Sequence, residues 1–480
     1  MLPLYDDIYI LGIKMVFSSL TFLGIFLPLA LFFNYISKTI RWKNFFLLIF
    51  SLVFYSWGEP VWVLAMLFTT TINYICGLYI DKAKTRNAKK IVLTIGTIAS
   101  LAVLFFFKYA GFVVDTFSTL SNIKIKTEFP GLPIGISFYT FQTITYTVDV
   151  YREKVNVQKS YFKLLLFVSM FHQLIAGPIV QYGDIAEAID DRVETPELFT
   201  DGMKRFIIGL AKKVLIANVC AAALDNLIMA DGINQMSFAG AWYAMAIFAF
   251  QIYFDFSGYS DMAIGMGKFF GFTFRENFNY PYISSSISDF WRRWHMSLGA
   301  FFREYLYIPL GGNRVGKMRL VFNLLVVWFL TGLWHGASWN FVVWGVYYGV
   351  LIIFEKLTRI DKAKIPKLLS IPATLALVLV GWALFYYTDL SQAIVHIKAM
   401  FGQNISGLID GNTIFSFKDN IALIPIGIFC SLPVYQYINN KLENNKIYKV
   451  VHPIVLLGIF LLTVVYLVGQ TFNPFLYFRF

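Results

Sequence analysis

One apolar stretch after another, each near the length of a bilayer crossing, leaves this chain few ways to fold. About 20 apolar helical residues cross a hydrocarbon core. Such stretches run over Phe17–Ile36, Phe45–Trp57, Trp62–Tyr79, Ile91–Phe107, Ile134–Val150 and Phe162–Val180. They continue over Phe206–Met229, Phe238–Phe256, Leu320–Trp334, Trp339–Phe354, Leu368–Tyr387, Ile421–Tyr437 and Val450–Val468. Several are short or glycine-interrupted. Half-helices that stop inside a membrane are tolerated only where protein or a water-filled cavity covers the backbone. The expectation is an all-α polytopic membrane protein of about ten to twelve crossings, with re-entrant or interfacial helices between them.

Only 14% of the 480 residues are charged, against roughly 25% in a soluble domain. The net charge of +12 belongs to loop topology and anionic lipid headgroups; the partner it implies is the lipid bilayer, with no nucleic acid. Lys38, Arg41 and Lys43 follow the first stretch, Lys82 to Lys90 the third, and Arg152, Lys154 and Lys159 the fifth. All three clusters are expected in the cytoplasm, which puts the N-terminus outside. The acidic run Asp184–Asp201 carries little topological weight, so its side stays open. Cys76, Cys220 and Cys430 stand far apart with no paired spacing, which predicts single buried thiols. The N-terminus shows no cleavable signal and reads as a retained first helix. With no internal repeat and no soluble appendage, the chain reads as a single membrane domain.

Within this background, His335 is the residue that asks for a function. It sits in T-G-L-W-H-G-A-S-W, inside an apolar run from about Val321 to Phe354. An ionisable group at membrane depth is costly, and where one persists it marks a site. Gly332 and Gly336 leave the backbone beside it bare, so another molecule is expected to approach closely there. Histidine is also the usual proton acceptor for an alcohol near neutral pH.

A second constellation spans Ser288–Arg314, too polar for a simple crossing and too aromatic for a solvent loop. Ser288 or Asp289 is expected to cap a helix running to about Tyr307, before Pro309 and Gly311–Gly312. That helix would place Trp291, His295, Leu298, Phe302 and Tyr305 on one face, and Arg292 and Arg303 on another. An interfacial amphipathic helix accounts for the charge, but not for a histidine on the aromatic side. His295 stands between a site role and structural hydrogen bonding. His172 reads as packing; His396 and His452 read as interfacial. His295 and His335 lack a third ligand at a recognisable spacing, so no metal is expected. Asp255 and Asp261 read as ion-paired, with Lys268, Arg275, Arg292 and Arg293 as candidate partners. Asn340 would orient the imidazole or cap a helix.

Taken together, Phe290–Leu298, Phe302–Arg314 and L-W-H-G at Leu333–Gly336 resemble the membrane-bound O-acyltransferase family. The likeness is to the branch holding the membrane subunits of bacterial alginate and peptidoglycan O-acetylation. Leu132–Asp149, Gln173–Ile179, Tyr253–Tyr282 and M-V-F-S-S-L from Met15 extend it over nearly the whole chain. Met15 matches the usual start, which makes residues 1–14 an expected extension and 15–480 the family domain. The resemblance implies that His335 is the catalytic histidine and His295 its second. Arg303 and Glu304 fall where the family usually shows an Arg–Asp pair, with Glu304 one methylene longer. At His172 the family often has proline, a departure that weakens any role there. Teichoic acid D-alanyl transfer is a related branch.

The chemistry so implied is acyl transfer in a multi-pass protein of the bacterial inner membrane. His335 would take the proton from an acceptor hydroxyl as its oxygen attacks an acyl thioester, acetyl-CoA in the first instance, delivered from the cytoplasm. Arg292, Arg293 and Arg303 would attract the donor's phosphates, with Trp334 and Asn340 completing the substrate contacts. No bound cofactor is expected. With no G-x-S-x-G motif in the chain, an extracytoplasmic esterase-like partner would carry the acyl group to a glycan, unless a lipid-linked sugar accepts it directly. A multi-span transporter and a non-catalytic scaffold of a polysaccharide export complex are the rival readings.

Overall fold

The computed structural model describes residues 15–469 and Leu476, apart from positions 126, 128, 175–176, 233–235 and 364. The suggested extension at residues 1–14 lies outside the described residues. Among them every regular element is helical, with no β-strand. Seven helices are long and apolar enough to cross a membrane, and eight if the bent pair Gly411–Asp419 and Leu423–Ser431 counts as one span. The other apolar stretches fall on elements that break, such as Tyr161–Ser169 followed by Phe171–Leu174, or on helices outside that test, such as Ile40–Gly58.

The chain divides into two compact units. Among the described residues, the first holds 15–208, 259–275 and 467–469. Its helix starts follow local chemistry: Thr39 and Thr85 accept hydrogen bonds from Trp42 N–H and Ala88 N–H, and each frees a helix to begin. Ile136–Tyr151 is buried on nearly every face, as a helix surrounded by others must be. Asn73 ties three helices by donating to Ser100 Oγ (2.8 Å) and accepting from Thr147 Oγ1 (2.6 Å). Polar bonds of this kind hold helices together where lipid removes the hydrophobic drive.

Among the described residues, the second unit holds 209–258, 276–466 and Leu476. At its centre is a helical hairpin, Lys317–His335 and Trp339–Thr358. The two helices cross where glycine meets glycine. A Cβ on Gly332 would lie 2.3 Å from the Phe341 carbonyl oxygen, and one on Gly345 2.3 Å from that of Trp328. This overturns one sequence expectation. The space beside Gly332 and Gly336 is taken by the protein itself, since a Cβ on Gly336 would strike the Phe341 ring at 2.2 Å.

The intramembrane carboxylates are ion-paired, as expected, but with other cations than the sequence neighbours. Asp255 meets Lys213 at 2.7 Å, both 3% exposed, and Asp261 takes Arg205 at 2.8 Å. Lys213 lies in a π-helical turn, Lys212–Ala217. The interfacial reading of His396 is also corrected. Its ring is fully buried, accepting from Tyr387 Oη at 2.7 Å and donating to Ala241 O at 3.1 Å. His172 is packed as expected, against Phe270, Phe272 and Phe274. All three cysteines are free thiols.

Candidate active site

The segment expected as one helix from Ser288 to about Tyr307 is instead broken at its histidine. Ile287–Arg293 and Met296–Phe302 are separate short helices, and a π-helical turn, Arg303–Tyr307, follows. The first is capped by Ser286, not Ser288 or Asp289, whose hydroxyl accepts Asp289 N–H at 3.0 Å. Between the two helices His295 takes a left-handed conformation, φ 44° and ψ 55°. For a side chain without glycine's freedom this costs of order 1–3 kcal/mol and persists only where the surroundings insist on it. Trp291 and His295 therefore do not share a helical face by period.

What insists is Asn277, in the extended strand of chain before the break. Its backbone oxygen accepts Met296 N–H at 2.9 Å, and Asn279 N–H reaches Arg293 O at 2.9 Å. The Asn277 side-chain oxygen accepts Ser297 N–H (3.2 Å) and Ser297 Oγ–H (2.9 Å), and lies 3.1 Å from His295 Nδ1. The other ring nitrogen, Nε2, is buried with no hydrogen-bond partner. Phe256 presents its ring to the imidazole at 4.7 Å between centroids. Burial pushes the His295 pKa down to about 3, so the ring is neutral at ordinary pH.

His295 forms part of the wall of a cavity of about 530 Å³, within the range of small-molecule sites. One side of this cavity follows the Lys317–His335 helix along Leu320, Leu324, Val327, Trp328 and Thr331. At about 1.5 Å per residue that path is about 16 Å long. His335 is four residues beyond Thr331, on the same face of the same helix. The mouth is cationic: Arg292, Arg303, Lys356, Arg359 and Lys362 all contribute, with Asp361 among them. Arg292 and Arg303 are largely exposed there, beside Asp289 (3.6 Å) and Glu304 (3.5 Å).

The two histidines stand on either side of Trp334. Its ring centroid is 5.8 Å from that of His295 and 5.0 Å from that of His335. His335 is 5% exposed, edge-on to Trp344 at 4.9 Å and Phe385 at 5.2 Å. The remaining sequence candidates divide. Arg293 is engaged by Asp289 (3.1 Å) and the Asn279 carbonyl (3.3 Å). Asn340 is fully buried, donates to Tyr387 O at 2.6 Å and accepts from the Ser338 hydroxyl. Neither bond meets an N–H of the Trp339–Thr358 helix, so Asn340 is not its cap, and neither bond goes to the imidazole.

Three groups escaped the sequence reading. Lys356, Arg359 and Lys362 had a signal, a basic run closing an apolar stretch. Asn277, in R-E-N-F-N-Y-P-Y, had none, since its contact with His295 crosses 18 residues. Glu355 had none either. Its buried carboxylate accepts Ile287 N–H (2.6 Å) and Ser288 N–H (2.8 Å) from across the fold. It holds the N-terminus of the helix that leads to His295, where an anion is favoured. Among the described residues no group of three His, Cys, Asp or Glu side chains is placed to hold a metal.

Known proteins point the same way. The chain is 42% identical over 394 residues to a probable alginate O-acetylase of Azotobacter vinelandii, covering 81% of this chain and 78% of that one. It is 35% identical over 425 residues to a peptidoglycan O-acetyltransferase of Helicobacter pylori, covering 81% and 80%. A teichoic acid D-alanyltransferase of Bacillus subtilis is more distant, 30% identical over 241 residues, with 46% and 60% covered. The model of the membrane-bound O-acyltransferase family matches residues 47–365, a stretch that contains both histidines and the cavity. This multi-pass membrane enzyme, an acyltransferase acting on hydroxyl groups, belongs to the membrane-bound O-acyltransferase family.

Proposed function

We propose that the chain takes an acyl group, acetyl in the first instance, from a cytoplasmic thioester and passes it across the bacterial inner membrane to a cell-envelope or extracellular glycan. One observation carries this reading: a cavity with a cationic mouth that runs along the His335 face of its helix and has His295 in its wall. Basic residues gather on the cytoplasmic side of membrane proteins, so Lys356, Arg359 and Lys362 support a mouth on that side. Arg292, Arg303 and these three would hold the phosphates of a donor such as acetyl-CoA, charge against charge.

In this scheme the acceptor oxygen attacks the thioester carbonyl carbon. A C–O bond forms, the C–S bond breaks, and the hydroxyl proton passes through an imidazole to the leaving thiolate. His335 is the base in the primary reading, with His295 holding a substrate N–H or O–H on Nε2. A second reading exchanges the two roles, favoured by the unpartnered Nε2 of His295. Glycans named for the alginate and peptidoglycan relatives support a glycan as final acceptor. An esterase-like partner outside the membrane would relay the acyl group, its own hydroxyl accepting first.

The test uses purified protein, a radiolabelled acyl thioester and an acceptor, at matched membrane abundance. His335→Ala is expected to lose about 10²–10⁴-fold in transfer rate, the usual worth of a positioned base. If His335→Ala retains transfer and His295→Ala abolishes it, the second reading replaces the first. Transfer that survives in both variants removes both histidines from the chemistry. A transporter would instead move solute along an ion gradient without a thioester, and a scaffold would support glycan acylation in cells with His335→Ala.

A further inference from the structure

We propose that Asn277 is a positioning residue that fixes the tautomer of His295, a residue of the cavity wall, and leaves the ring's lone pair on Nε2. This rests on the proposed role of the two histidines. The argument is a chain of donors and acceptors. Ser297 N–H can only donate, so the Asn277 atom 3.2 Å away is the amide oxygen. Ser297 Oγ–H places its proton on the same oxygen at 2.9 Å. That oxygen is 3.1 Å from His295 Nδ1. An oxygen that only accepts requires the proton on Nδ1, and a neutral ring with Nδ1–H has its lone pair on Nε2.

The surroundings hold this arrangement rather than merely permit it. Asn277 is 1% exposed, and its own amide nitrogen has no partner. A buried donor left unmet costs about 1–3 kcal/mol, against which stand the bonds its oxygen accepts from Ser297. Both backbone bonds that pin the break, Met296 N–H to Asn277 O and Asn279 N–H to Arg293 O, come from the same stretch. Ring orientation is set from the two sides by Phe256 and Trp334. The second nitrogen of a working histidine is held by an oxygen in the same way at metal sites, where it decides which nitrogen is available.

The experiment compares Asn277→Leu, Asn277→Asp, His295→Ala and the double variant Asn277→Leu/His295→Ala in the purified transferase. Asn277→Leu removes the acceptor at similar size and is expected to lower kcat by at least about tenfold with the donor KM nearly unchanged. Asn277→Asp keeps an acceptor oxygen in either protonation state and is expected to recover most of that loss. The double variant is expected to be no slower than His295→Ala alone, because Asn277 acts through the ring. A further loss in the double variant, or full activity in Asn277→Leu beside an inactive His295→Ala, overturns the proposal and leaves the site intact. Full activity in His295→Ala overturns the role given to His295 instead. Nitrogen-15 spectra of histidine-labelled protein, with His295 assigned by subtraction, decide the tautomer whether or not Asn277→Leu folds. A proton on Nε2 in the unmodified protein sinks the inference outright.

Discussion

An imidazole with one nitrogen committed and the other bare is a different reagent from one that can turn. His295 and His396 show the contrast within one unit. Both are neutral and buried, but His396 spends both nitrogens, on Tyr387 and Ala241, and is structural. Burial pushes its pKa from 6.5 down to about 4. The sign of the linkage follows. Below 6.5 the unfolded chain takes up a proton that the folded ring refuses, so stability is full above that pH and falls as pH drops toward 4. The slope is about 1.4 kcal/mol per pH unit in that window. Melting of the detergent-solubilised protein is therefore expected at lower temperature at pH 5 than at pH 7. His396→Asn should melt lower at pH 7 but lose less between the two pH values. An unchanged pH dependence in that variant would show that His396 does not titrate in this way.

At the scale of elements, the positions of helices were legible in the sequence and their interruptions were not. Period and length place Lys317–His335 and Trp339–Thr358 within a few residues. The break at Trp294–His295 carries no Gly or Pro and is imposed by Asn277 from outside. The cost of a buried charge marked Asp255 and Asp261, but their partners Lys213 and Arg205 come from far earlier in the chain. The glycines at 332 and 336 were noticed for the right reason, close approach, and assigned the wrong visitor. Two predictions belong here. Gly332→Ala forces a methyl against backbone at 2.3 Å, which cannot rotate away, so a loss of about 1–3 kcal/mol is expected as a fall in melting temperature. Wild-type melting would show that the hairpin opens freely. Glu355→Ala strands a buried and a part-buried N–H group at the start of the Ile287–Arg293 helix, the buried one worth about 1–3 kcal/mol. It should lower melting temperature and transfer rate together, with Glu355→Gln intermediate because one acceptor oxygen remains. Equal stability of all three proteins would mean that this contact does not hold the helix.

For the molecule as a whole, charge decides which way the chain faces the membrane, and within the first compact unit several charges meet in ion pairs. Lys89 meets Glu153 at 2.8 Å, joining the basic clusters that follow two different membrane stretches. Lys43, from the cluster after the first stretch, meets Glu194 at 2.7 Å. Lys163 pairs with Asp190, Lys204 with Asp201 and Arg275 with Asp184. The acidic run whose side the sequence left open is thus paired with Lys43 of the first cluster and with Lys163, four residues beyond the third, as well as with Lys204 and Arg275. A membrane interior separates two surfaces by about 30 Å, far beyond the reach of any such pair. The basic clusters and Asp184–Asp201 therefore share a surface, which the excess of Lys and Arg predicts to be cytoplasmic. Replacing Cys76, Cys220 and Cys430 and introducing Lys84→Cys, Lys154→Cys or Asp191→Cys, all exposed positions, tests this directly. An impermeant maleimide is expected to label all three in inside-out vesicles and none in intact cells. Labelling of Asp191→Cys from the side opposite to Lys84→Cys would break the shared surface, and labelling of all three from outside would reverse the orientation while leaving the ion pairs in place.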